Sequence, residues 1–264
     1  MKDLHRLQAP RLSKVVFIMT AVFLIAPLLI LIAYSFNGGK NSWTGFSLRW
    51  YEILFTRKEN LWLAFFNSII VAITAGVIAT AIGTLSAIGL HWYTFRTKSY
   101  LQVTNFIALI LPEIVVGLSL AIFFASLNLN LRLGNVIIAH VAFILPFVTL
   151  MVLARLDEFD SGIIEAAEDL GAKDSQILTK VILPIAKPSI IGSFVMGVTL
   201  SLEDFVITLF VGSVGSTTLP IAINNTIRKD PDSNVVYALS VILIAGTVLL
   251  AFSARRFLKY MVKT

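Results

Sequence analysis

The sequence has no cysteine and few charged residues for its length. Of its 264 residues, 14% are charged and 57% are hydrophobic, whereas soluble domains carry about 25% charged residues. The absence of cysteine excludes disulfide bonds and thiolate metal sites formed by this chain. The low charge content and the mean hydropathy of +0.88 exclude a soluble globular fold and favour a membrane protein.

Sequence patterns for nucleotide binding and hydrolysis are also missing. The phosphate-binding pattern G-x-x-x-x-G-K-[ST] does not occur, because Gly39-Lys40 is followed by asparagine and lacks the upstream glycine. No H-E-x-x-H motif or Ser/His/Asp constellation is visible, and the three histidines are isolated. The net charge of +6 comes from basic residues scattered at the ends of apolar runs, which does not indicate nucleic-acid binding.

Six segments are long and apolar enough to cross a membrane as helices, which takes about 20 residues each. They are 15–36, 61–93, 101–127, 133–154, 189–211 and 235–257. The first is too long for the hydrophobic part of a signal peptide, and no A-x-A-like site follows, so we expect it to be retained. The sequence therefore predicts an all-α membrane protein with six transmembrane helices.

The distribution of lysine and arginine predicts the orientation of these helices. If the N-terminus is cytoplasmic, the inner segments hold 14 of the 21 basic residues and the outer segments hold 7. Because basic residues concentrate on the cytoplasmic side, we expect both termini to be cytoplasmic. Trp43, Trp50 and Tyr51 in the first outer loop are interpreted as membrane-interface anchors. Small residues in the second segment, including Gly76 and Gly83, predict close helix packing.

Three acids lie within predicted spans, namely Glu113, Glu203 and Asp204. A charged residue at the centre of a membrane helix costs about 2.5–3.5 kcal/mol on insertion scales, and no lysine or arginine lies at comparable depth. The acids are protonated and hydrogen-bonded, or pair with a second subunit, or line a pathway for a cationic solute; all three alternatives remain open. Pro112 precedes Glu113 and either kinks the helix for packing or opens it where the acid faces a cavity.

The loop between the fourth and fifth spans predicts two short helices joined by a glycine turn, over residues 160–184. Ile163, Ile164, Ala167 and Leu170 recur with helical spacing and form one apolar face. Asp160 or Ser161 can cap the first helix, Gly171 can end it in a left-handed conformation, and Asp174 can cap a second helix leading to Pro184. Because the whole loop, residues 155–187, carries seven acids, an anionic membrane surface repels it. We therefore expect a protein partner.

This loop resembles the EAA signature of binding-protein-dependent ABC permeases. The matching residues are Glu165-Ala166-Ala167, then Gly171, then Val181-Ile182-Leu183-Pro184. Its place between the fourth and fifth of six spans is similar to the type I ABC importer permeases. The resemblance implies the MetI-like fold and an elbow that docks into a groove on a separate ATPase. The residues that it implicates in coupling are Glu165, Ala166, Ala167, Gly171, Leu183 and Pro184.

Further stretches resemble the permeases of spermidine/putrescine importers. They are Tyr34-Ser35-Phe36-Asn37, Trp50-Tyr51, Pro112-Glu113-Ile114-Val115, Leu145-Pro146-Phe147-Val148 and Leu200-Ser201-Leu202-Glu203-Asp204. The resemblance implies that Glu113, Glu203 and Asp204 line the substrate path, with Glu113 and Glu203 standing where aspartate is expected. It also implies residues 1–60 as an N-terminal segment, a permease domain at 61–257 and a cytoplasmic tail at 258–264.

The resemblance further implies a multi-pass protein of the bacterial inner membrane with several partners. These are two ATPase subunits, a distinct second permease subunit, a periplasmic or lipid-anchored substrate-binding protein, and membrane lipid, with no nucleic acid. We expect no cofactor on this chain and ATP and Mg on the ATPase. A permease for another solute, such as ferric ion, thiamine or an amino acid, remains an alternative, as does a secondary transporter.

Overall fold

The computed structural model describes residues 11–39, 42–158, 162–230 and 234–261, with side chains from Leu12 to Leu249 within these ranges. These ranges hold twelve α-helices, one π-helical turn and no strand. The helices are α1 Arg11–Ser35, α2 Arg49–Arg57, α3 Glu59–Trp92, α4 Lys98–Ile110, α5 Glu113–Ser126, α6 Leu133–Asp157, α7 Gly162–Asp169, α8 Asp174–Ile177, α9 Leu183–Glu203, α10 Val206–Val211, α11 Leu219–Lys229 and α12 Val235–Met261, and the π-turn is Leu178–Ile182.

The chain forms two compact units. One unit comprises residues 1–59 and 225–264, and the other comprises residues 60–224. The division of the sequence at residues 60 and 257 into an N-terminal segment, a permease domain and a tail stays a prediction.

Helices form most of all six predicted membrane segments, although 101–127 and 189–211 each contain a break, and the described residues are all-α as the sequence predicts. Among the described residues, four helices are long and apolar enough to span a membrane, namely Leu12–Ser35, Glu59–Trp92, Leu133–Asp157 and Asp174–Glu203. A bent pair formed by α4 and α5 makes a fifth span if it is counted as one. The apolar part of α12, Val235–Leu249, is shorter.

In the first unit, the chain between α1 and α2 folds around Asn37, whose side chain is fully buried. The Asn37 amide nitrogen donates to the Ser42 carbonyl at 2.8 Å, and its oxygen accepts the Thr44 N–H at 2.9 Å. The Trp50 indole donates to the Asn37 carbonyl at 2.7 Å. The interpretation of Trp50 as a membrane-interface anchor is therefore wrong. The residue is only 4% exposed, and its indole N–H is bonded to the loop backbone.

The small residues of α3 let neighbouring helices approach closely, as predicted. A Cβ added to Gly76 would lie 2.9 Å from a Val198 methyl group on α9. A Cβ added to Gly83 would lie 2.6 Å from a methyl group of Val148 on α6. Both distances are too short for a real Cβ contact, so a larger residue at either crossing would force the neighbouring valine or its helix to shift.

The prediction of one continuous helix over residues 101–127 is wrong. The chain breaks between α4 and α5, and the two helices are bent by 112°. Leu111 and Pro112 are extended, with ψ angles of 133° and 135°. The physical reason is that proline disfavours helical geometry in the residue before it and has no N–H to donate. Pro112 therefore opens the helix rather than kinking it, and Glu113 is the first residue of α5.

The predicted boundary between the second loop helix and the fifth span is also wrong. One helix runs from Asp174 to Glu203 and contains the π-turn Leu178–Ile182. Pro184 reads as a stop signal in the sequence, but the π-turn accommodates it, and the Leu183 N–H bonds to the Leu178 carbonyl five residues back. The second loop helix and the fifth span thus form one continuous helix with Asp204 as its C-cap residue. We call this helix, Asp174–Glu203, the lever.

Candidate functional site

The first short loop helix, α7, covers residues 162–169 and packs one face on the helical bundle. Ile164 and Ala167 contact a buried apolar cluster that includes Ile177 and Ile182 of the lever. The proposed N-terminal caps, Asp160 and Ser161, lie outside the described residues.

Gly171 ends α7 in the left-handed conformation that the sequence predicts, with φ of +79°. The Gly171 N–H bonds to the Glu168 carbonyl at 2.8 Å, and the Ala172 N–H bonds to the Ala167 carbonyl at 3.0 Å. This pair of bonds is the Schellman motif, which satisfies carbonyls left free at a helix end. A Cβ at Gly171 would meet nothing within 4 Å, so the backbone angle and not space requires glycine here.

The second loop helix begins one residue earlier than predicted. Lys173, and not Asp174, is the N-cap residue of α8, and the Gln176 side-chain oxygen accepts the Lys173 N–H at 2.9 Å. Asp174 lies in the first turn, where a negative charge favours the positive end of the helix dipole. The structure thus keeps an acid at the start of the lever.

The outward surface of α7 differs from the predicted apolar face. Leu170 was grouped with Ile164 and Ala167, but it is 89% exposed. Ile163, Ala166 and Leu170 recur at i, i+3 and i+7 and form an exposed stripe, and Glu165 is also exposed. The prediction of one packed face is therefore wrong for Ile163, which is 44% exposed, and for Leu170, which lies beyond the end of α7 at Asp169. We call Ile163, Glu165, Ala166 and Leu170 the elbow surface.

The elbow is fixed to the bundle through buried apolar contacts. Ile177 and Ile182 of the lever pack with Ile88 at the end of α3 and Leu156 at the end of α6. Leu183 is partly buried against the same cluster. A movement of the elbow surface would therefore be transmitted to three long helices, since packed interiors resist local compression.

The two glutamates of the predicted substrate path lie at helix breaks and are exposed. Glu113 begins α5 after the break at Pro112, and Glu203 ends α9 before the break at Asp204. Within the described part of the chain, neither carboxylate has an ion-pair or hydrogen-bond partner.

Asp204 differs from both glutamates because it is buried, with 6% of its surface exposed. One carboxylate oxygen accepts the Ile207 N–H at 3.1 Å, and the other accepts the Thr208 N–H at 3.0 Å and the Thr208 hydroxyl at 2.9 Å. These bonds satisfy the first free N–H groups of α10. The partner of Asp204 within the described residues is neither lysine nor arginine but His140, whose Nε2 lies 3.2 Å from the carboxylate.

His140 is the residue of this site that the sequence did not assign a role. It lies on α6 and is fully buried. Its Nδ1 is 2.6 Å from the Ser201 hydroxyl, and its Nε2 is 3.0 Å from the Thr208 hydroxyl. A lone histidine in an apolar segment is the one sequence signal that could have suggested this arrangement, since a buried polar group needs partners.

A cavity of about 370 Å³ lies between α3, α4 and α6 in the second unit. Most of its lining is apolar, with polar side chains from Ser86, Thr104, Asn105 and Thr149. None of the three acids lines this cavity. The acids are therefore presented elsewhere on the unit, with Glu113 and Glu203 on its surface.

Comparison with known proteins matches this chain to permease subunits. Residues 79–263 match the profile of the family described as "binding-protein-dependent transport system inner membrane component". The spermidine/putrescine transport system permease protein PotC of Haemophilus influenzae is 37% identical over 233 residues, covering 87% of this chain and 90% of that protein. The putrescine transport system permease protein PotI of Escherichia coli K12 is 33% identical over 251 residues, covering 91% and 88%.

A solved structure has the same fold at low sequence identity. It is a chain of a bacterial ABC transporter involved in the import of the acidic polysaccharide alginate, with a TM-score of 0.71 and 18% identity. The alignment covers 93% of this chain and 95% of that chain. The MetI-like fold that the sequence predicts is confirmed. The chain therefore belongs to the family of inner-membrane permease components of binding-protein-dependent ABC transport systems.

Proposed function

We propose that this chain is a permease subunit of an ATP-driven importer of polyamines such as putrescine and spermidine. The observation that carries the proposal is the pair of exposed, unpaired carboxylates, Glu113 and Glu203, at helix breaks within apolar segments. The relatives described as spermidine/putrescine and putrescine permeases support the same solute class.

The physical argument for a cationic solute rests on the cost of these charges. An unpaired carboxylate in a membrane helix costs about 2.5–3.5 kcal/mol on insertion scales, so such residues face water, a partner or a substrate. A polyamine carries several ammonium groups on a flexible apolar chain. Two separated carboxylates can each bind one ammonium group through a charge-assisted hydrogen bond.

The exposure of both glutamates supports a path formed between two permease subunits. Glu113 and Glu203 lie on the surface of the chain rather than inside its bundle. A second permease subunit packed on that surface would enclose the solute between the two chains. We propose a distinct sister subunit, as the sequence resemblance implies. Asp204 is buried at the break between α9 and α10, where it bonds the first N–H groups of α10, and it does not face the proposed path.

The elbow surface is the proposed contact with the ATPase. Leu170 is an almost fully exposed leucine at the end of a helix whose other face is anchored in the bundle. A partner that covers it would gain apolar burial at about 25 cal/mol per Å². We propose that two ATPase subunits, which bind ATP and Mg, dock on the cytoplasmic side, where both termini lie. A periplasmic or lipid-anchored binding protein delivers the solute on the other side.

Uptake by the assembled complex tests this proposal. The chain, its sister permease, the ATPase and the binding protein are reconstituted in liposomes, and uptake of labelled putrescine and spermidine is measured. Glu113→Gln and Glu203→Gln should each raise KM about tenfold to a hundredfold, the loss of one charge-assisted hydrogen bond. Glu52→Gln, at an exposed acid of α2, is the control and should leave KM unchanged.

Two results would overturn the proposal. One is saturable uptake of ferric ion, thiamine or an amino acid with no uptake of either polyamine. The other is the absence of polyamine uptake by a complex that hydrolyses ATP. Polyamine uptake with an unchanged KM in both glutamine variants would instead refute the substrate role of Glu113 and Glu203.

A further inference from the structure

One side chain of a third helix, α6, contacts both sides of the break between α9 and α10. His140 of α6 contacts Ser201 before the break through Nδ1 and Thr208 after the break through Nε2. Its Nε2 also lies 3.2 Å from the Asp204 carboxylate at the break itself. One rigid imidazole ring therefore connects both helix ends and the residue between them. We call these contacts of His140 with Ser201, Asp204 and Thr208 the clamp.

The residues at the break leave little room for another arrangement. Asp204 is extended, with φ of −63° and ψ of 126°, so α9 stops at Glu203. Both Asp204 oxygens already accept N–H groups of α10, through Ile207 and Thr208. The carboxylate thus fixes the start of α10, and His140 fixes the carboxylate against α6.

This arrangement determines the direction of Glu203. Glu203 and Asp204 are consecutive, and successive residues of a helix end point about 100° apart. Holding Asp204 inward against His140 therefore directs Glu203 outward, where it is exposed. Glu203 is the last residue of α9, and helix ends fray. Release of Asp204 from His140 therefore lets the last turn of α9 open, and Glu203 loses its fixed direction.

We propose that His140 is a positioning residue that sets the affinity for the transported cation by holding Glu203 in the path. The inference rests on the proposed role of Glu203 in substrate binding. His140 does not touch the solute, because it is fully buried within the unit. Preorganisation of a binding group lowers the entropy lost on binding, so release of the clamp weakens binding while leaving the group present.

The chemistry of the two ring nitrogens provides a matched pair of variants. The side-chain amide nitrogen of His140→Gln can reach the position of Nε2, and so keeps a donor for Asp204 and Thr208. His140→Asn can reach only the position of Nδ1 and keeps the contact with Ser201. His91→Gln is the control. His91 lies 2.8 Å from its partner Asp157, and this pair is not part of the break.

Uptake kinetics in the reconstituted complex give the first test. His140→Asn should raise KM for putrescine about tenfold with Vmax within about twofold, because a binding group is misdirected while coupling is intact. His140→Gln should stay within about threefold of the parent KM, and His91→Gln should leave KM unchanged. A fall in Vmax at constant KM in His140→Asn, or equal effects of the asparagine and glutamine variants, would overturn the proposal.

A double-mutant cycle shows whether His140 acts through Glu203. In the Glu203→Gln background, His140→Asn should raise KM no further, because the group it positions has lost its charge. Independent, multiplicative effects of the two substitutions would contradict the positioning role. If Glu203→Gln alone leaves KM unchanged, the proposed substrate role of Glu203 fails, and the clamp is then judged by geometry alone.

Spin labels measure that geometry without reference to transport. The chain has no cysteine, so Val195→Cys and Leu209→Cys introduce the only thiols, on exposed positions of α9 and α10. The distance distribution between the two labels should broaden in His140→Asn and remain narrow in His140→Gln. An unchanged distribution in His140→Asn would show that His140 does not hold the break.

Discussion

Gly171 offers a test that separates backbone geometry from side-chain size in the elbow. Its φ is +79°, and a Cβ would meet nothing within 4 Å, so a larger residue fits in space but not in conformation. Non-glycine residues in the left-handed region are disfavoured by roughly 1–2 kcal/mol, and asparagine is the usual exception. Gly171→Val should therefore strain the turn, whereas Gly171→Asn should retain it.

The expected magnitude follows from this strain. If the elbow relaxes before docking, the ATPase must restore the turn, and a change of about 1–2 kcal/mol corresponds to a 5–30-fold loss of affinity. The assay is a titration of the permease pair in nanodiscs with the ATPase. Gly171→Val should weaken binding by that factor, and Gly171→Asn should stay within about threefold of the parent. Equal affinity of the valine variant and the parent would refute the reasoning.

Two further substitutions test packing and loop structure. Gly83→Ala on α3 should lower the thermal stability of the purified chain, because its Cβ would lie 2.6 Å from Val148 and overpacking costs about 1–3 kcal/mol. Gly89→Ala, with nothing within 4 Å, should be neutral or stabilising, and the opposite order would be inconsistent with the packing described. Asn37→Ala should increase amide exchange in the peptide 36–50 by removing the buried bonds that fold this loop, and unchanged exchange would exclude that role.

Much of the elbow could be predicted from sequence because its signals are local. Gly171 follows an amphipathic helix, and only glycine readily adopts the left-handed angle that ends it. Helical spacing alone did not identify the packed side of α7, because only Ile164 and Ala167 of the four predicted apolar residues contact the bundle. Leu170 lies close to the helix end, and its exposure depends on where Gly171 turns the chain.

The effects of the two prolines, Pro112 and Pro184, were harder to predict. The sequence is apolar on both sides of Pro112, so hydropathy gives no sign of the 112° bend. Pro184 misleads in the opposite direction. It predicts the end of a helix, whereas the π-turn before it lets the helix continue. Proline marks a point where a helix must adjust, but the type of adjustment depends on neighbouring helices.

The partner of Asp204 could not be read from sequence. His140 lies 64 positions earlier on another helix, and only packing of α6 against α9 and α10 brings them to 3.2 Å. The sequence also gives no reason for Asp204 to be buried while Glu203 is exposed, since either residue could have faced the bundle. The structure shows that Glu203 lies on the surface and Asp204 does not.

The most direct test of the account is whether the elbow surface touches the ATPase. Leu170→Cys places a single thiol on an 89% exposed position of a chain without other cysteines. In the assembled complex, a short thiol-directed photocrosslinker at this position should join the permease to the ATPase, and the yield should change when ATP is added. The same reagent at Leu127→Cys, exposed at the end of α5, should give no such product. A crosslink to the ATPase from Leu127→Cys but not from Leu170→Cys would contradict the assignment of the elbow as the coupling element.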